Sequence, residues 1–127
     1  MQAFALVGVG GAIGAMARYG VSLAVGRLWG PGFPLATLLV NIVGSLAMGV
    51  LVGWLAKVLP SWAVEGRLFL AIGVLGGFTT FSSFSLDTIV LIENGQIGQA
   101  GLYIVLSVVV SVIALYLGLL MIRGLPV

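Results

Sequence analysis

Four long apolar runs follow one another along the chain, and each is separated from the next by a short cluster of turn-forming residues. The clusters contain Gly30-Pro31-Gly32, then Pro60, then the turn signal Asn94-Gly95. Because a hydrocarbon layer of about 30 Å needs about 20 apolar residues per helix, the pattern predicts four transmembrane helices. We therefore expect one all-α membrane domain over residues 1–127, with spans one to four at 3–28, 34–58, 64–92 and 97–123.

The composition strengthens this prediction. Hydrophobic residues make up 61% of the chain, charged residues make up 6%, and the mean hydropathy is +1.32. Such a chain cannot surround its apolar groups with a polar shell in water, so we expect a multi-pass protein of the lipid bilayer. The net charge of +2 comes from too few groups to form a basic patch for nucleic acid. The N-terminal segment lacks the basic start of a signal peptide, and we expect it to be retained.

Span three contains a glycine pair followed by hydroxyl side chains, GGFTTFSSFS at residues 76–85. Arg67 and Asp87 bracket a stretch without charge, and the glycine pair lies at its centre. If these charges lie near the two headgroup regions, the glycines lie near the bilayer midplane. Irregular backbone is tolerated at that depth only where protein or a polar cavity satisfies it, as at the ion sites of transporters and channels. The segment predicts a broken helix that handles something polar.

Two polar stripes recur at helical spacing in spans two and four. Residues four apart share a helix face, and the stripes consist of Thr37, Asn41 and Ser45, and of Tyr103, Ser107 and Ser111. Isolated Ser and Thr in membrane helices often bond to their own i−4 carbonyl, so a structural explanation competes with a functional one. An unpaired amide costs several kcal/mol in hydrocarbon. Asn41 is therefore either a clamp between helices or a ligand-facing donor.

Charged groups within the spans are few. Arg18 lies well inside span one, where it either snorkels towards the headgroups or makes a vestibule that attracts anions. Asp87 is either an interfacial residue or a partner for a basic group. Lys57, Arg67 and Arg123 oppose Arg27 with a small excess, so cytoplasmic termini are favoured only modestly and insertion in both orientations is reasonable.

The residue types that are missing exclude several kinds of chemistry. The chain has no cysteine and no histidine, which excludes disulfides, thiolate metal sites and histidine proton shuttles. A small proton-coupled multidrug exporter, also built from four spans, would need a carboxylate in span one, and there is none. This alternative is therefore disfavoured. A non-transporting subunit of a larger membrane complex is another alternative, and purified chain tested alone would distinguish it.

Small and aromatic residues complete the pattern. The GxxxG pairs Gly10/Gly14 and Gly49/Gly53 predict close packing of helices, and four short spans enclose a polar path most readily as a homo-oligomer. Phe81 and Phe84 share a face of the helix after the glycine pair, among hydroxyl groups. An aromatic ring presented edge-on favours an anion because its edge is positive. The structural alternative is that these rings face lipid or a neighbouring helix.

With these motifs in place, the chain resembles the Fluc (CrcB-type) fluoride channels over essentially its whole length. The carrying motifs are GGFTTFSSFS at 76–85, GGAIGA at 10–15 leading to Arg18, and VNIVG at 40–44. Ser83 stands where the family more often has Thr, and it keeps the hydroxyl group. The resemblance implies a passive, fluoride-selective channel of the bacterial inner membrane that lowers fluoride toxicity, and no enzyme activity.

The resemblance also implies an assembly and roles for particular residues. It implies an antiparallel, dual-topology homodimer with two fluoride pathways, in which Arg18 makes the vestibule attractive to anions. A structural Na⁺ at the two-fold axis would be held by the backbone carbonyls of Gly76 and Thr79 from both subunits. The implied fluoride pathway combines the pore aromatics, the amide and the polar track: Phe81, Phe84, Asn41, Ser82, Ser85, Tyr103, Ser107, Ser111 and Thr37.

Overall fold

The computed structural model describes residues 1–126, and over that range it contains helices and no strands. Spans one and two are single helices, α1 (Gln2–Leu28) and α2 (Leu35–Val58). Span three comprises α3 (Ala63–Gly66), a π-helical segment (Arg67–Leu75), α4 (Gly76–Phe78) and α5 (Phe81–Glu93). Span four comprises α6 (Ile97–Val105), a second π-helical segment (Leu106–Val110) and α7 (Ser111–Arg123).

Four helical stretches are long and apolar enough to cross a membrane: Gln2–Leu28, Leu35–Val58, Ala63–Glu93 and Ile97–Arg123. The prediction of an all-α, multi-pass membrane protein with four spans is therefore confirmed. The connections use residues suited to sharp turns. Gly95 has a φ of +79°, a conformation that costs glycine little, and it ends the Asn-Gly turn between spans three and four.

Spans one and three cross at their glycines. A Cβ atom added to Gly73 would lie 3.0 Å from Cα of Gly10, and one added to Gly77 would lie 3.1 Å from Cα of Gly11. Only the absence of side chains allows the two backbones to approach so closely. This crossing places α1 against the residues just before the interruption of span three.

Spans two and four form the second close pair. A Cβ atom added to Gly118 would lie 2.8 Å from the backbone nitrogen of Val50, which shows the same dependence on glycine. At the end of this pair, the Lys57 ammonium group donates to the carbonyl groups of Ile122, at 3.0 Å, Arg123, at 3.3 Å, and Leu125. The cation satisfies carbonyls that the end of a helix leaves without partners. Spans two and four therefore end side by side and run in the same direction.

An aromatic cluster joins spans two, three and four. Tyr103 is completely buried, Phe84 is buried beside it, and Leu38, Leu91 and Ala100 complete the core of the cluster. The Tyr103 ring lies 5.2 Å from the Phe84 ring and 5.5 Å from the Phe33 ring, the latter edge-to-face at 84°. Such contacts stabilise an aromatic pair beyond the burial of its area. The cluster fixes α5 against α6.

Candidate functional site

The helix of span three is interrupted by two extended residues. Thr79 has φ −84° and ψ 157°, and Thr80 has φ −152° and ψ 119°, whereas α4 ends at Phe78 and α5 begins at Phe81. The glycine pair that drew attention in the sequence is itself helical, and the extended residues follow it. Gly77 serves the close approach to Gly11. The glycines thus allow the crossing, and the threonines carry the extended backbone.

The side-chain amide of Asn41 lies against the extended pair. Its Oδ1 accepts a hydrogen bond of 2.8 Å from the backbone N–H of Thr80, and its Nδ2 donates one of 3.0 Å to the carbonyl of the same residue. The amide therefore replaces the helical acceptor that the Thr80 N–H has lost, and it adds a second donor to the carbonyl that begins α5. Because the amide NH₂ group carries two hydrogens, one remains for another acceptor.

Other polar groups satisfy most of the remaining backbone around the interruption. Arg18 Nε donates to the Gly77 carbonyl at 3.2 Å, and Thr79 Oγ1 donates to the Leu75 carbonyl at 2.9 Å. Thr80 Oγ1 accepts a hydrogen bond of 3.2 Å from the backbone N–H of Ser83, so Thr80 is the N-cap of α5. Arg18, half-buried at this position, is thus tied to the helix interruption itself.

The carbonyls of Gly76 and Thr79, like that of Phe78, lose their helical donors at the interruption. The Thr80 N–H, which would bond the Gly76 carbonyl in a continuous helix, donates to Asn41 instead. The Ser83 N–H, which would bond the Thr79 carbonyl, donates to Thr80 Oγ1. Among residues 1–126 no other hydrogen bond reaches either carbonyl. Both groups are therefore available to a ligand.

A groove of about 320 Å³ opens beside the interruption. Spans two, three and four each contribute to it, and its polar and apolar walls alternate. Below we call it the polar groove; its lining residues are Asn41, Ser45, Thr79, Thr80, Phe81, Phe84, Ser107, Val108, Ser111 and Val112. The structure therefore brings together five of the residues proposed for the fluoride pathway.

The two phenylalanines of the groove differ in exposure. Phe81 is 76% exposed and Phe84 is 9% exposed, although their ring centroids are only 5.4 Å apart and their planes are inclined by 49°. With Tyr103 and Phe33 they form a continuous row of four rings. The Phe84 ring packs against the buried Tyr103, which fixes its position at the groove wall. The Phe81 ring instead projects from the chain.

Ser107 and Ser111 place unpaired hydroxyl groups in the groove. The Oγ atoms of both are buried and have no hydrogen-bond partner among residues 1–126. Serines in helices usually satisfy themselves on the i−4 carbonyl, and these two do not. The π-helical segment Leu106–Val110 contains Ser107, and Ser111 follows it as the first residue of α7. Buried polar groups without partners are costly, and π-helical turns occur often at functional sites.

The remaining predicted pathway residues lie outside the polar groove in this chain. The Tyr103 hydroxyl group donates to Asp87 Oδ2 at 3.1 Å, which gives Asp87 a partner in the chain that is not basic. Ser85 is exposed and donates to the Phe81 carbonyl at 3.1 Å, and exposed Ser82 lies 3.2 Å from Thr80 through their hydroxyl oxygens. Thr37, one turn before Asn41 on α2, is half-buried and likewise does not line the groove.

Residues that the sequence did not single out also form the site. Val108 and Val112 supply apolar wall, and Thr80, which the sequence marked only as part of the hydroxyl run, supplies the backbone that Asn41 holds. Thr80 and Ser83 are three residues apart, as are an N-cap residue and the backbone N–H that it accepts from. This spacing is the sequence signal that could have marked the start of α5. No group of three or more His, Cys, Asp or Glu residues suited to a metal ion occurs within residues 1–126.

Comparison with known proteins identifies the family. Residues 5–119 match the family model described as "CrcB-like protein, Camphor Resistance (CrcB)". The chain belongs to the CrcB family. Three curated members of similar length carry the name fluoride-specific ion channel FluC, and they are close in sequence. The chain is 53% identical to the protein of Hyphomonas neptunium over 97% of both chains, 55% identical to that of Sphingopyxis alaskensis over 93% of both, and 54% identical to that of Agrobacterium fabrum over 95% of this chain and 96% of the relative.

Proposed function

We propose that this CrcB-family chain is a passive, fluoride-selective ion channel that exports cytoplasmic fluoride and so reduces its toxicity. Relatives about half identical over nearly their whole length bear the name of fluoride-specific channels. The observation that carries the proposal in the chain itself is the polar groove, where an amide and two unpaired buried hydroxyls face two aromatic rings. The function is conduction and not catalysis.

The groove suits a small, strongly hydrated anion. Ser107 and Ser111 offer hydroxyl donors, and Asn41 retains one amide hydrogen after its bond to Thr80. The positive edges of Phe81 and Phe84 add weak attraction without a full charge. A channel must replace the hydration shell of its ion strongly enough for entry and weakly enough for exit. Neutral donors meet this requirement better than a positively charged side chain in the groove, because such a side chain would bind the anion too tightly for it to leave.

A second copy of the chain would close the groove. The groove is open along one side, and Phe81, Val108 and Val112 are all exposed in the single chain. We propose an antiparallel homodimer in which each copy covers the groove of the other, giving two pathways. The small excess of basic residues on one side supports insertion in both orientations. We assign the protein to the bacterial inner membrane.

Fluoride reaches the groove from a vestibule in this proposal, and Arg18 contributes positive charge there. Its bond to the Gly77 carbonyl leaves the guanidinium charge uncompensated, because a carbonyl carries no net charge. Ser82, Ser85, Thr37 and Tyr103 complete the pathway only if the partner copy brings them to the groove or extends it.

The free carbonyls at the interruption fit a structural cation. The Gly76 and Thr79 carbonyls lack donors within residues 1–126, and carbonyls left free within a membrane cost several kcal/mol each. Carbonyl oxygens are ligands for hard cations, and a two-fold axis would double their number. We propose that Na⁺ is held there by these residues of both copies. It would supply positive charge that fixes the interruption, and it would not be transported.

Proteoliposomes that contain only this chain test the proposal. Vesicles loaded with KF should release fluoride when valinomycin allows K⁺ to leave, and vesicles loaded with KCl should retain chloride. Comparable chloride release would contradict fluoride selectivity. No fluoride release from well-folded protein would contradict a channel formed by this chain alone and would favour a non-transporting subunit.

A further inference from the structure

A second groove lies between α2 and α7, at the end where both helices finish. Its volume is about 390 Å³, and it shares no residue with the polar groove. Its lining combines apolar side chains with two cations at one end. Below we call it the cationic groove; its residues are Val52, Gly53, Ala56, Lys57, Leu119 and Arg123.

The floor of this groove depends on a glycine. Gly53 is buried, and a Cβ atom added to it would lie 3.3 Å from Cβ of Ile122 and 3.5 Å from Cδ2 of Leu119. A larger residue would therefore fill the space between the helices. Gly53 keeps α2 and α7 close at this level and leaves the groove between their outward-facing side chains open.

The two cations at the rim are not neutralised by the groove itself. Lys57 donates to three backbone carbonyls, which satisfy its N–H groups without cancelling its charge. Arg123 is exposed, and no carboxylate side chain lines the groove. The chain has three acidic residues: Asp87 and Glu93 lie beyond the interruption of span three, and Glu65, on α3 at this same end, does not line the groove. The rim therefore carries two positive charges.

The groove extends from headgroup depth into the hydrocarbon. Val52 precedes Lys57 by five residues, so at 1.5 Å per residue the apolar wall reaches about 7 Å below the cations. Trp54 and Trp62 stack at this end of α2, with ring centroids 5.6 Å apart. Tryptophans concentrate at the level of the lipid headgroups. The cations are thus at phosphate depth and the apolar wall is at the depth of the first acyl carbons.

We propose that the cationic groove binds an anionic phospholipid. The guanidinium fork of Arg123 would receive the phosphate, the Lys57 charge would add attraction, and an acyl chain would lie along Val52, Ala56 and Leu119. A second copy of this chain is a poorer occupant because it offers three carboxylates against five basic groups. A bilayer supplies a phosphate above an apolar chain at this depth.

Native mass spectrometry of the purified full chain tests the site, with phosphatidylglycerol and phosphatidylcholine of identical acyl chains as probes. We expect the chain to retain phosphatidylglycerol in preference, by about fivefold for each exposed basic residue that contributes. Arg123→Gln should remove about that factor. Arg27→Gln, which changes an exposed arginine at the end of α1, should leave the preference unchanged.

A second pair of variants tests the acyl-chain position without changing charge. Ala56→Phe should block the groove and reduce phosphatidylglycerol retention, and Ala24→Phe, at an exposed position on α1, should not. Equal retention of the two lipids by the unchanged chain would overturn the proposal. So would equal loss in Arg123→Gln and Arg27→Gln, or displacement of the lipid by millimolar glycerol phosphate, which would indicate a site for soluble anions.

Discussion

The side chain of Asn41 pairs with both backbone groups of Thr80, accepting from its N–H at 2.8 Å and donating to its carbonyl at 3.0 Å. One amide on span two thus takes the place of the helical acceptor of the Thr80 N–H and also bonds the carbonyl that begins α5. The sequence left two roles open for Asn41, and this pairing demonstrates the clamp. The second amide hydrogen still allows Asn41 to serve as a donor in the polar groove.

Asn41→Ala should reduce fluoride flux. The variant loses two hydrogen bonds, each worth about 0.6 kcal/mol on average in a membrane, and their sum of about 1.2 kcal/mol corresponds to a factor of about eight. We therefore expect flux in proteoliposomes to fall by about that factor. Ser45→Ala, one turn along the same groove wall, is the matched control and should change flux little. Similar flux in both variants would contradict the importance of the clamp.

Phe81→Ile and Phe84→Ile should each lower fluoride flux while dimers still form. Isoleucine keeps apolar bulk and removes the polarised ring edge, and the contact between the two rings contributes about 0.5–1.5 kcal/mol beyond area burial. Phe78→Ile should have a much smaller effect because Phe78 does not line the polar groove. Equal conduction by all three variants, measured by fluoride efflux, would show that the rings do not form the pathway.

Ser107→Ala should separate function from stability. The hydroxyl group is buried without a partner, so its removal should leave thermal stability in detergent unchanged or raise it, by about 1 kcal/mol at most. Fluoride flux should fall because a donor is lost. Thr88→Ala is a useful comparison, since Thr88 is buried but donates to the Phe84 carbonyl at 2.8 Å, and its loss should lower stability. If Ser107→Ala lost stability and kept flux, the serine would be structural.

Strict removal of Na⁺ should abolish conduction slowly, and K⁺ should not substitute well. The Gly76 and Thr79 carbonyls have no hydrogen-bond donor within residues 1–126, and a buried ion would exchange slowly. Prolonged dialysis into a Na⁺-free buffer, followed by a fluoride efflux assay, measures the effect. Undiminished flux would remove the cation from the mechanism. Fluoride accumulation driven by an imposed Na⁺ gradient would instead indicate coupled transport.

Orientation can be tested with added charge. Because the excess of basic residues on one side is small, lysines added to either terminus should bias insertion in one direction. Two oppositely biased versions should restore, when expressed together, the fluoride resistance that each lacks alone. Full activity of one singly oriented version would support a parallel assembly.

The four helices could be predicted from the sequence because each apolar run is long enough to cross a membrane as a helix. A spacing of four placed Asn41, Ser107 and Ser111 at the polar groove, whereas Thr37 and Tyr103, which have the same spacing, lie outside it. Local pattern could not assign the extended backbone to Thr79 and Thr80 rather than to the glycine pair. That assignment depends on contacts with Asn41 and Gly11, which come from other spans.

The π-helical segments were equally invisible in the sequence. Leu106–Val110 is a run of ordinary helix-compatible residues apart from Ser107, and nothing in its pattern marks an extra residue in the turn. The aromatic positions show the same limit. Phe81 and Phe84 are both flanked by hydroxyl residues, yet one is exposed and the other is packed against Tyr103.

The π-helical segment Leu106–Val110 separates two parts of span four, and a different contact fixes the rotation of each part. Before it, Tyr103 is fixed by its bond to Asp87, and after it, Gly118 is fixed by its close approach to Val50. Deleting one residue within this segment would rotate one half of the span against the other by about 100°, since a helix has 3.6 residues per turn. Only one of the two contacts could then survive. Substitutions are therefore far easier to accommodate here than an insertion or a deletion. The number of residues between Tyr103 and Gly118 is fixed.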